Sequence, residues 1–257
     1  MRARLDGKVV AITGAGSGLG AEFAVALARE GARVGVLDLD AERAEHTARA
    51  VADAGGQAVA YAVDVSDREE VRAALKAVTD RFGRLDVMFN NAGITLSTPF
   101  LEATEGDFRK LHDVNVIGVL VGTQEAAKVF IAQGGGGKII NTCSIASRQA
   151  RPNFAAYAAS KFAVHSLVQS GARALAEHGI TVNGFAPGIV DTAVWEAASG
   201  GDTGRRAEMF EEYATRIPVG RVAQPKDLAP TAIFLAASDS DYITGQVVMT
   251  DGGMEMV

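Results

Sequence analysis

The chain is poor in cysteine and histidine, the residues most often used for disulfides and metal ligation. It has a single cysteine, Cys143, among 257 residues, so no intrachain disulfide can form and nothing indicates an oxidising compartment. The four histidines show no metal-ligand spacing; they are His46, His112, His165 and His178. We therefore expect no metal site.

Long apolar runs and clusters of basic residues are also missing. No stretch of about eighteen apolar residues occurs, which predicts no membrane span, and no signal-peptide segment follows the N-terminal arginines. The net charge is −6 and no group of Lys and Arg stands out, which argues against a nucleic-acid partner because phosphate binding needs a basic face. These features predict a cytoplasmic protein that acts on a small molecule.

Short apolar runs alternate with longer alanine-rich amphipathic runs along the whole chain. The predicted strands are Lys8–Thr13, Arg33–Asp38, Ala58–Val63, Leu85–Phe89, Lys138–Cys143, Thr181–Phe185 and Gln246–Met249. The predicted helices are Leu19–Glu30, Ala41–Ala54, Arg68–Phe82, Glu105–Ile131, Ala155–Glu177 and Lys226–Ala236. Nearly uniform apolar strands in strict alternation with helices predict an α/β Rossmann fold, a doubly wound parallel sheet of seven strands flanked by helices. With no linker in view, residues 1–257 should form a single domain.

The regular alternation breaks after the sixth predicted strand. Residues 189–220 are rich in glycine and charge and contain only one short helix candidate, Arg205–Thr215. A long insertion after a strand in such a fold is often a lid over the ligand site. The alternative is a plain surface excursion.

A glycine-rich loop follows the first strand at Thr13–Gly20. Glycines here let backbone N–H groups approach a pyrophosphate, and the following helix N-terminus favours negative charge. The loop therefore predicts a dinucleotide site formed by Gly14, Ser17, Gly18, Leu19 and Gly20. A tight strand-to-helix turn without ligand is the alternative.

The second strand ends at Asp38, about twenty residues beyond the glycine loop. A carboxylate there can accept hydrogen bonds from the adenosine ribose and would repel the 2′-phosphate of NADP, so we expect NAD. Asp40 could be the relevant carboxylate instead, and Arg43 lies close enough in sequence to affect the choice. Asp38 could also be a solvated strand end or a helix cap.

Two further strand ends carry polar residues. Asp64, followed by Val65, could hold the adenine amino group, whereas Asp64 or Ser66 could equally cap the helix that begins near Asp67. Asn91, Ala92 and Gly93 follow the fourth strand, where small and amide-bearing residues would let a cofactor approach the backbone. Both segments are expected at the carboxyl edge of the sheet.

Tyr157 and Lys161 stand four residues apart on one face of a predicted helix. A phenol is a poor base at neutral pH, and a neighbouring ammonium stabilises its phenolate. Ser144 ends the fifth strand and could hydrogen-bond a reacting oxygen. Together with the glycine loop, these residues predict proton transfer coupled to a bound dinucleotide.

From Lys8 to Gly253 the chain resembles a short-chain dehydrogenase/reductase. The matching segments are Thr13–Gly20, Asn90–Gly93, Asn115 with its neighbours, Ser144, Tyr157, Lys161, and Pro187-Gly188 with Thr192. The resemblance implies that Tyr157 is the general base or acid and that Lys161 supports it and the nicotinamide ribose. It also implies that Ser144 polarises the substrate oxygen, that Asn115 holds a relay water, and that Pro187, Gly188, Val190 and Thr192 meet the nicotinamide. Asn115 could instead be a helix-kink residue that satisfies backbone groups.

Subgroup features around Ser144 and Pro187 are similar to those of family members that act on polyols or acetoin, so a small polyol or vicinal diol is the favoured substrate. Besides Ser144 and Tyr157, the expected substrate residues are Gln149, whose amide could meet a second hydroxyl, and Trp195. Other candidate lining residues are Ile94, Ile145, Phe154 and Met209, each of which could equally be packing or surface.

Three other functions compete with this interpretation. An NADPH-dependent 3-oxoacyl-carrier-protein reductase is disfavoured by Asp38, and a non-catalytic NAD-binding sensor by the complete set Ser144, Tyr157 and Lys161. A methyltransferase is disfavoured by the glycine spacing. The resemblance further implies a homotetramer assembled through the two long middle helices and the last strand region.

Overall fold

The computed structural model describes residues 3–193, 195 and 201–256. Its sheet has seven strands: β1 (Val9–Thr13), β2 (Arg33–Asp38), β3 (Gln57–Ala62), β4 (Val87–Asn90), β5 (Gly137–Thr142), β6 (Ile180–Pro187) and β7 (Val247–Thr250). All neighbouring strands are parallel, in the order β3-β2-β1-β4-β5-β6-β7. The predicted doubly wound Rossmann fold is thereby confirmed. Because the order reverses between β1 and β4, the carboxyl ends of these two strands flank the crevice where such sheets bind ligands.

The helices are α1 (Gly18–Arg29), α2 (Ala41–Asp53), α3 (Arg68–Phe82), α4 (Glu105–His112), α5 (Gly118–Gln133), α6 (Ala155–Leu175), α7 (Thr203–Ala214) and α8 (Pro225–Ala236). Aspartates that accept hydrogen bonds from first-turn amides begin α2, α3 and α7; these caps are Asp40, Asp67 and Asp202. The N-cap of α3 is therefore Asp67, and not Asp64 or Ser66, the caps that the sequence allowed.

The helices cover both faces of the sheet, as its apolar strands require. One core cluster packs Phe23 and Leu27 of α1 and Leu228 of α8 against strand residues such as Ile12. The clusters on the other face use α3, α5 and α6, with Leu75 and Phe130 among the largest buried side chains. Both faces are therefore closed, which leaves the carboxyl edge of the sheet for ligands.

The predicted helix Glu105–Ile131 is in fact two helices joined by a π-helical turn over Asp113–Ile117. By length and composition alone, the stretch Glu105–Gln133 could span a membrane, with a mean hydropathy of 1.4, but half of its most apolar window is buried inside the fold. A core helix of a globular domain can have the same length and apolar composition, and the burial of this stretch fits such a helix.

The predicted lid contains α7, one short helix as expected. None of the residues of α7 is buried, so the helix lies on the surface of the domain. Residues 194 and 196–200 of the predicted lid lie outside the described residues.

Candidate active site

The glycine loop lies between β1 and α1, as predicted. Gly14 and Gly18 have φ angles of 62° and 54°, in the left-handed region that favours glycine. A Cβ at Gly14 would lie 2.7 Å from Ala92 Cα, and one at Gly20 would collide with the Gly14 carbonyl oxygen. Ser17 is exposed and its side chain makes no capping hydrogen bond, so the first-turn amides of α1 are not capped by this side chain and are available to an anion. This cradle fits a pyrophosphate held by backbone amides.

Asp38 lies directly beside the glycine loop. Its Oδ2 accepts a hydrogen bond of 2.7 Å from Gly16 N, and its Oδ1 accepts one of 3.1 Å from Asp40 N. Asp40 caps α2 and forms an ion pair of 3.2 Å with Arg43, which is thereby tied to Asp40 rather than to Asp38. Asp38 is thus the carboxylate placed at the loop, as the sequence predicted, with Arg43 nearby but engaged elsewhere.

Asp64 is occupied by local contacts at the end of β3. Its Oδ1 accepts hydrogen bonds from the amide and the hydroxyl of Ser66, at 2.9 and 2.7 Å. Val65 is buried and packs close to Gly118 at the start of α5. A role of Asp64 towards adenine stays a prediction that would use the remaining carboxylate oxygen.

The segment after β4 is braced against the glycine loop. The side chain of Asn91 donates to the carbonyl oxygens of Thr13 and Gly14, both at 3.1 Å. The Thr13 hydroxyl accepts from the amides of Asn91 and Ala92, at 3.0 and 3.1 Å. These hydrogen bonds tie the carboxyl ends of β1 and β4 to each other at the crevice.

Asn115 lies in the π-helical turn and is fully buried. Its Oδ1 accepts from Ile94 N at 2.9 Å, and its Nδ2 donates to Ile94 O and to Ser160 Oγ, at 2.9 and 3.0 Å. Both hydrogens of the Asn115 side-chain amide therefore form hydrogen bonds within the protein. The expected relay water would have to bind through the second lone pair of Oδ1 or through the backbone of the turn.

The ammonium of Lys161 is held under the carboxyl end of β5. Lys161 is 4% exposed, and its Nζ donates to the Thr142 carbonyl at 2.8 Å and lies 5.8 Å from the Tyr157 ring centroid. Tyr157 is partly exposed and meets Phe154 edge-on at 6.4 Å. The structure thus brings together the phenol and the ammonium that helical spacing predicted to share one face.

Ser144 ends the segment after β5 and is buried apart from 8% of its surface. Its Oγ accepts from Ala146 N at 3.1 Å, which leaves the hydroxyl proton free for donation to another oxygen. Its carbonyl accepts from the Ser147 hydroxyl at 2.5 Å. The serine is therefore fixed in place by a short 3₁₀ turn, Ile145–Ser147.

The segment after β6 closes over the glycine loop. Pro187 ends β6, and Gly188 donates from its amide to Thr250 O at 3.2 Å. A Cβ at Gly18 would lie 3.6 Å from the methyl carbon of Thr192, so the two loops meet across the crevice. Val190 is buried in the core and can offer a ligand only its backbone.

Trp195 anchors the lid helix. Its indole N–H donates to Val190 O at 2.9 Å, and its ring packs edge-on against Phe210 and Tyr213 of α7, at 5.6 and 5.3 Å. Arg206 of α7 also forms an ion pair with Asp191. The polar atom of Trp195 is thus engaged with the protein, so a role towards substrate would rest on the ring alone.

Gln149 is exposed and its amide faces the carboxylate of Glu255 at the other end of the chain. Of the other candidate lining residues, Ile145 is buried, whereas Ile94 and Phe154 are partly buried. Burial raises the pKa of the Cys143 thiol to about 12, against opposing effects of Lys161 and Arg148, so this thiol is not a nucleophile. Among the described residues, no group of three His, Cys, Asp or Glu side chains is placed to hold a metal ion.

Three residues that support this site were missed by the sequence reasoning. The Thr142 hydroxyl donates to Asn91 Oδ1 at 3.2 Å, while its carbonyl holds Lys161. The Ser160 hydroxyl donates to Tyr157 O at 2.7 Å, and Thr13 organises the segment after β4. Only Ser160 carried a signal, since a helical serine commonly bonds the carbonyl one turn earlier.

Comparison with known proteins identifies the family. A family model described as enoyl-(acyl carrier protein) reductase, a short-chain dehydrogenase group, matches residues 14–255. The chain is 41% identical to diacetyl reductase [(S)-acetoin forming] of Staphylococcus epidermidis, over 96% of this chain and 98% of the relative. It is also 41% identical to galactitol 2-dehydrogenase of Agrobacterium fabrum, over 97% of this chain and 98% of that one. The chain belongs to the short-chain dehydrogenase/reductase family.

Solved structures agree with this assignment. A short-chain type dehydrogenase/reductase from Mycobacterium marinum superposes with a TM-score of 0.92 at 32% identity, over 100% of this chain and 98% of that chain. A gluconate 5-dehydrogenase from Burkholderia cenocepacia, in complex with NADP and tartrate, gives 0.89 at 39% identity, over 98% and 97%. The protein is thus an oxidoreductase that binds a nicotinamide cofactor and interconverts a secondary alcohol and a ketone.

Proposed function

We propose that this protein is an NAD-dependent dehydrogenase that interconverts a small polyol or vicinal diol and the corresponding hydroxyketone. The observation that carries the proposal is the buried ammonium of Lys161, held 5.8 Å from the Tyr157 ring at the sheet edge that also bears the glycine loop and Asp38. A cation in that position can stabilise the negative charge that develops on the phenol oxygen during proton transfer. An acid–base group is thereby provided beside a dinucleotide site.

The protein residues would divide the work of proton transfer and binding. Tyr157 takes the hydroxyl proton in alcohol oxidation and returns it in ketone reduction, while Lys161 stabilises the charge that remains on the phenol oxygen. Ser144 donates its free hydroxyl proton to the substrate oxygen. Asn115 fixes the segment at Ile94 and, through Ser160, the first turn of α6. Bound NAD supplies the hydride acceptor at the substrate carbon.

The preference for NAD follows from Asp38. Its carboxylate lies at the glycine loop, bonded to Gly16 N, and a 2′-phosphate entering there would meet this negative charge. Arg43, the cation that could offset the charge, is paired with Asp40. The gluconate 5-dehydrogenase that superposes on this chain contains NADP, so the preference rests on these residues and not on the fold.

The substrate class is supported by the relatives, whose names include acetoin-forming diacetyl reductase and galactitol dehydrogenase. A homotetramer is part of the proposal, because apolar side chains in the turn before α5, in the last turn of α5 and on α6 are exposed: Ile117 by 41%, Ile131 by 47% and Phe162 by 44%. Analytical ultracentrifugation would test it. A cytoplasmic location remains a prediction from the sequence.

The test is a screen of purified protein with NAD⁺ or NADP⁺ against diols, sugar alcohols, cyclic alcohols and hydroxy acids, followed by the absorbance of the reduced cofactor. We expect turnover of a polyol or diol with NAD⁺ and tighter binding of NADH than of NADPH in a fluorescence titration. Tyr157→Phe should lower kcat by about 10²- to 10⁴-fold, whereas Tyr61→Phe on β3 should not change it. Unchanged turnover in Tyr157→Phe would refute the mechanism, and tighter NADPH binding would refute the cofactor assignment.

A further inference from the structure

A polar cavity of about 290 Å³ lies beside the loop that follows Ser144. Three separate segments line it: the loop after β5, the turn after α7 and the segment after β7. The lining residues are Gln149, Ala150, Arg151, Arg216, Met254 and Glu255.

The C-terminal wall of the cavity is held by the Asp251 carboxylate, which accepts hydrogen bonds from backbone amides. Asp251, which directly follows β7 and is 9% exposed, accepts from Gly253 N at 3.0 Å and from Glu255 N at 2.7 Å. Gly252 O accepts from Val219 N at 3.1 Å, which ties the same turn to the end of the lid segment. The position of Glu255 is therefore fixed before any ligand arrives.

The carboxylate of Glu255 is the most buried charge in the cavity wall. Its side chain is 13% exposed and forms an ion pair of 2.9 Å with Arg151, whose side chain is 30% exposed. The Gln149 amide lies 2.5 Å from both carboxylate oxygens, with its nitrogen as the facing atom. The wall thus presents donors and acceptors side by side, with the charge of Arg151 offset by Glu255 and with the exposed Arg216 as a second cation.

The same loop connects this wall to the catalytic residues. Gln149 N donates to Ile145 O at 3.2 Å, one residue beyond Ser144. Phe154 N donates to Arg151 O at 3.0 Å, and the Phe154 ring is the one that meets Tyr157. The loop that lines the cavity is therefore bonded to the segments that carry both catalytic side chains.

We propose that this cavity is a subsite for the far, hydroxylated end of an extended polyol whose reacting carbon lies at Ser144 and Tyr157. A hydroxyl group both donates and accepts, so it can bond to the Glu255 carboxylate and to the Arg151 guanidinium at once. A four-carbon diol has no hydroxyl beyond the reacting pair to place there. The subsite therefore favours hexitols over four-carbon diols. The inference rests on the proposed function and names its substrate class.

The experiment compares the ratio of kcat/KM for galactitol or sorbitol to kcat/KM for butane-2,3-diol, with NAD⁺, in the wild type and in Glu255→Gln. A hydrogen bond to a charged group contributes enough that we expect this ratio to fall by about tenfold or more in the variant. Asp239→Asn breaks an ion pair with Arg4 on a remote surface and should leave the ratio unchanged. Thermal melting of each variant checks that it is folded.

An unchanged ratio, whether both kcat/KM values fall equally or neither falls, would overturn the subsite, as would a wild type that oxidises butane-2,3-diol but no hexitol. In each of these cases a diol is still oxidised, so the proposed oxidoreductase function stands. If the wild type oxidises no polyol or diol, the proposed function fails and the subsite with it.

Discussion

Two buried charges on neighbouring helices are treated in opposite ways by this fold. Glu125 of α5 is 3% exposed and Lys161 of α6 is 4% exposed. The Glu125 carboxylate meets Arg68 at 2.6 Å, Lys128 at 2.7 Å and Arg72 at 3.1 Å. Lys161 donates only to a carbonyl oxygen, and it takes part in none of the ion pairs among the described residues.

The electrostatic consequence is clear for the carboxylate. Burial raises the pKa of Glu125, but hydrogen bonds from Lys128, Arg72 and Arg68 outweigh it and hold the pKa at about 2. The Glu125 charge, which serves only the stability of the fold, is thus offset by three cationic side chains of the same domain. The charge of Lys161 is left uncompensated, which suits a residue whose partner is a phenolate that forms only during the reaction.

Replacing Lys161 with methionine should have the largest effect of the variants considered, because it should lower activity strongly without lowering stability. We expect Lys161→Met to lower kcat by about 10²- to 10⁴-fold, while Tm should not fall, because the variant removes a buried charge that has no ion-pair partner. Steady-state kinetics and thermal melting measure the two effects. Lys138→Met is the matched control, since Lys138 is also mostly buried but is paired with Asp241 at 2.8 Å.

The control should lose stability and keep the kcat of the folded enzyme. If Lys161→Met is instead as destabilised as Lys138→Met and retains activity, the two lysines play the same structural role and the comparison fails.

Glu125→Gln should show the converse behaviour. It keeps the shape of the side chain but leaves Arg68, Arg72 and Lys128 without their buried counter-charge, so the free energy of unfolding should fall by about 3 kcal/mol. Urea denaturation measures this loss. Glu69→Gln removes an exposed carboxylate from Arg72 and should cost less than about 1 kcal/mol. A cost for Glu125→Gln no larger than that of Glu69→Gln would show that the ion cluster contributes little.

The contribution of Glu125 should also depend on pH with a defined sign. Its pKa is lowered from an ordinary 4.5 to about 2 in the folded protein, so its stabilisation is fully present above pH 4.5 and is lost as the pH falls towards 2. The difference in Tm between the wild type and Glu125→Gln should therefore be constant near neutrality and shrink below pH 4.5. Asp227, whose pKa is also about 2 because of Arg221, titrates in both proteins and cancels in this difference. A difference that grows in acid would contradict the assignment.

The sequence predicted the parts of the molecule that depend on local periodicity. The strands and helices were located within a few residues, and the polar strand ends at Asp38 and Ser144 fall at the carboxyl edge because all strands are parallel. The sequence offered a helix kink at Asn115 only as an alternative and did not predict its π-helical form, since the apolar periodicity of Glu105–Ile131 runs through it and past Gly118.

Contacts between distant segments were beyond the sequence. The Thr142 hydroxyl meets Asn91 across 51 residues, and Arg151 meets Glu255 across 104. Nothing in the neighbours of Thr142 or Glu255 marks them, because the strand order that joins these segments is set by packing of the whole sheet. Such residues support or extend the site without belonging to any motif.

Thr142 gives the smallest expected effect, and it tests whether the uncompensated ammonium needs a rigid support. Its carbonyl holds Lys161 while its hydroxyl is bonded to Asn91, whose amide in turn holds the carbonyls of Thr13 and Gly14. Thr142→Val keeps the shape but removes the hydroxyl, so the carbonyl should be less firmly placed. We expect kcat to fall by about three- to tenfold, with a shift in its pH profile and little change in KM for NAD. Thr142→Ser, which keeps the hydroxyl, should restore both kcat and the profile. If Thr142→Val lowers Tm but does not shift the pH profile of kcat, Thr142 contributes only to packing. Its hydroxyl would then not be needed to position Lys161.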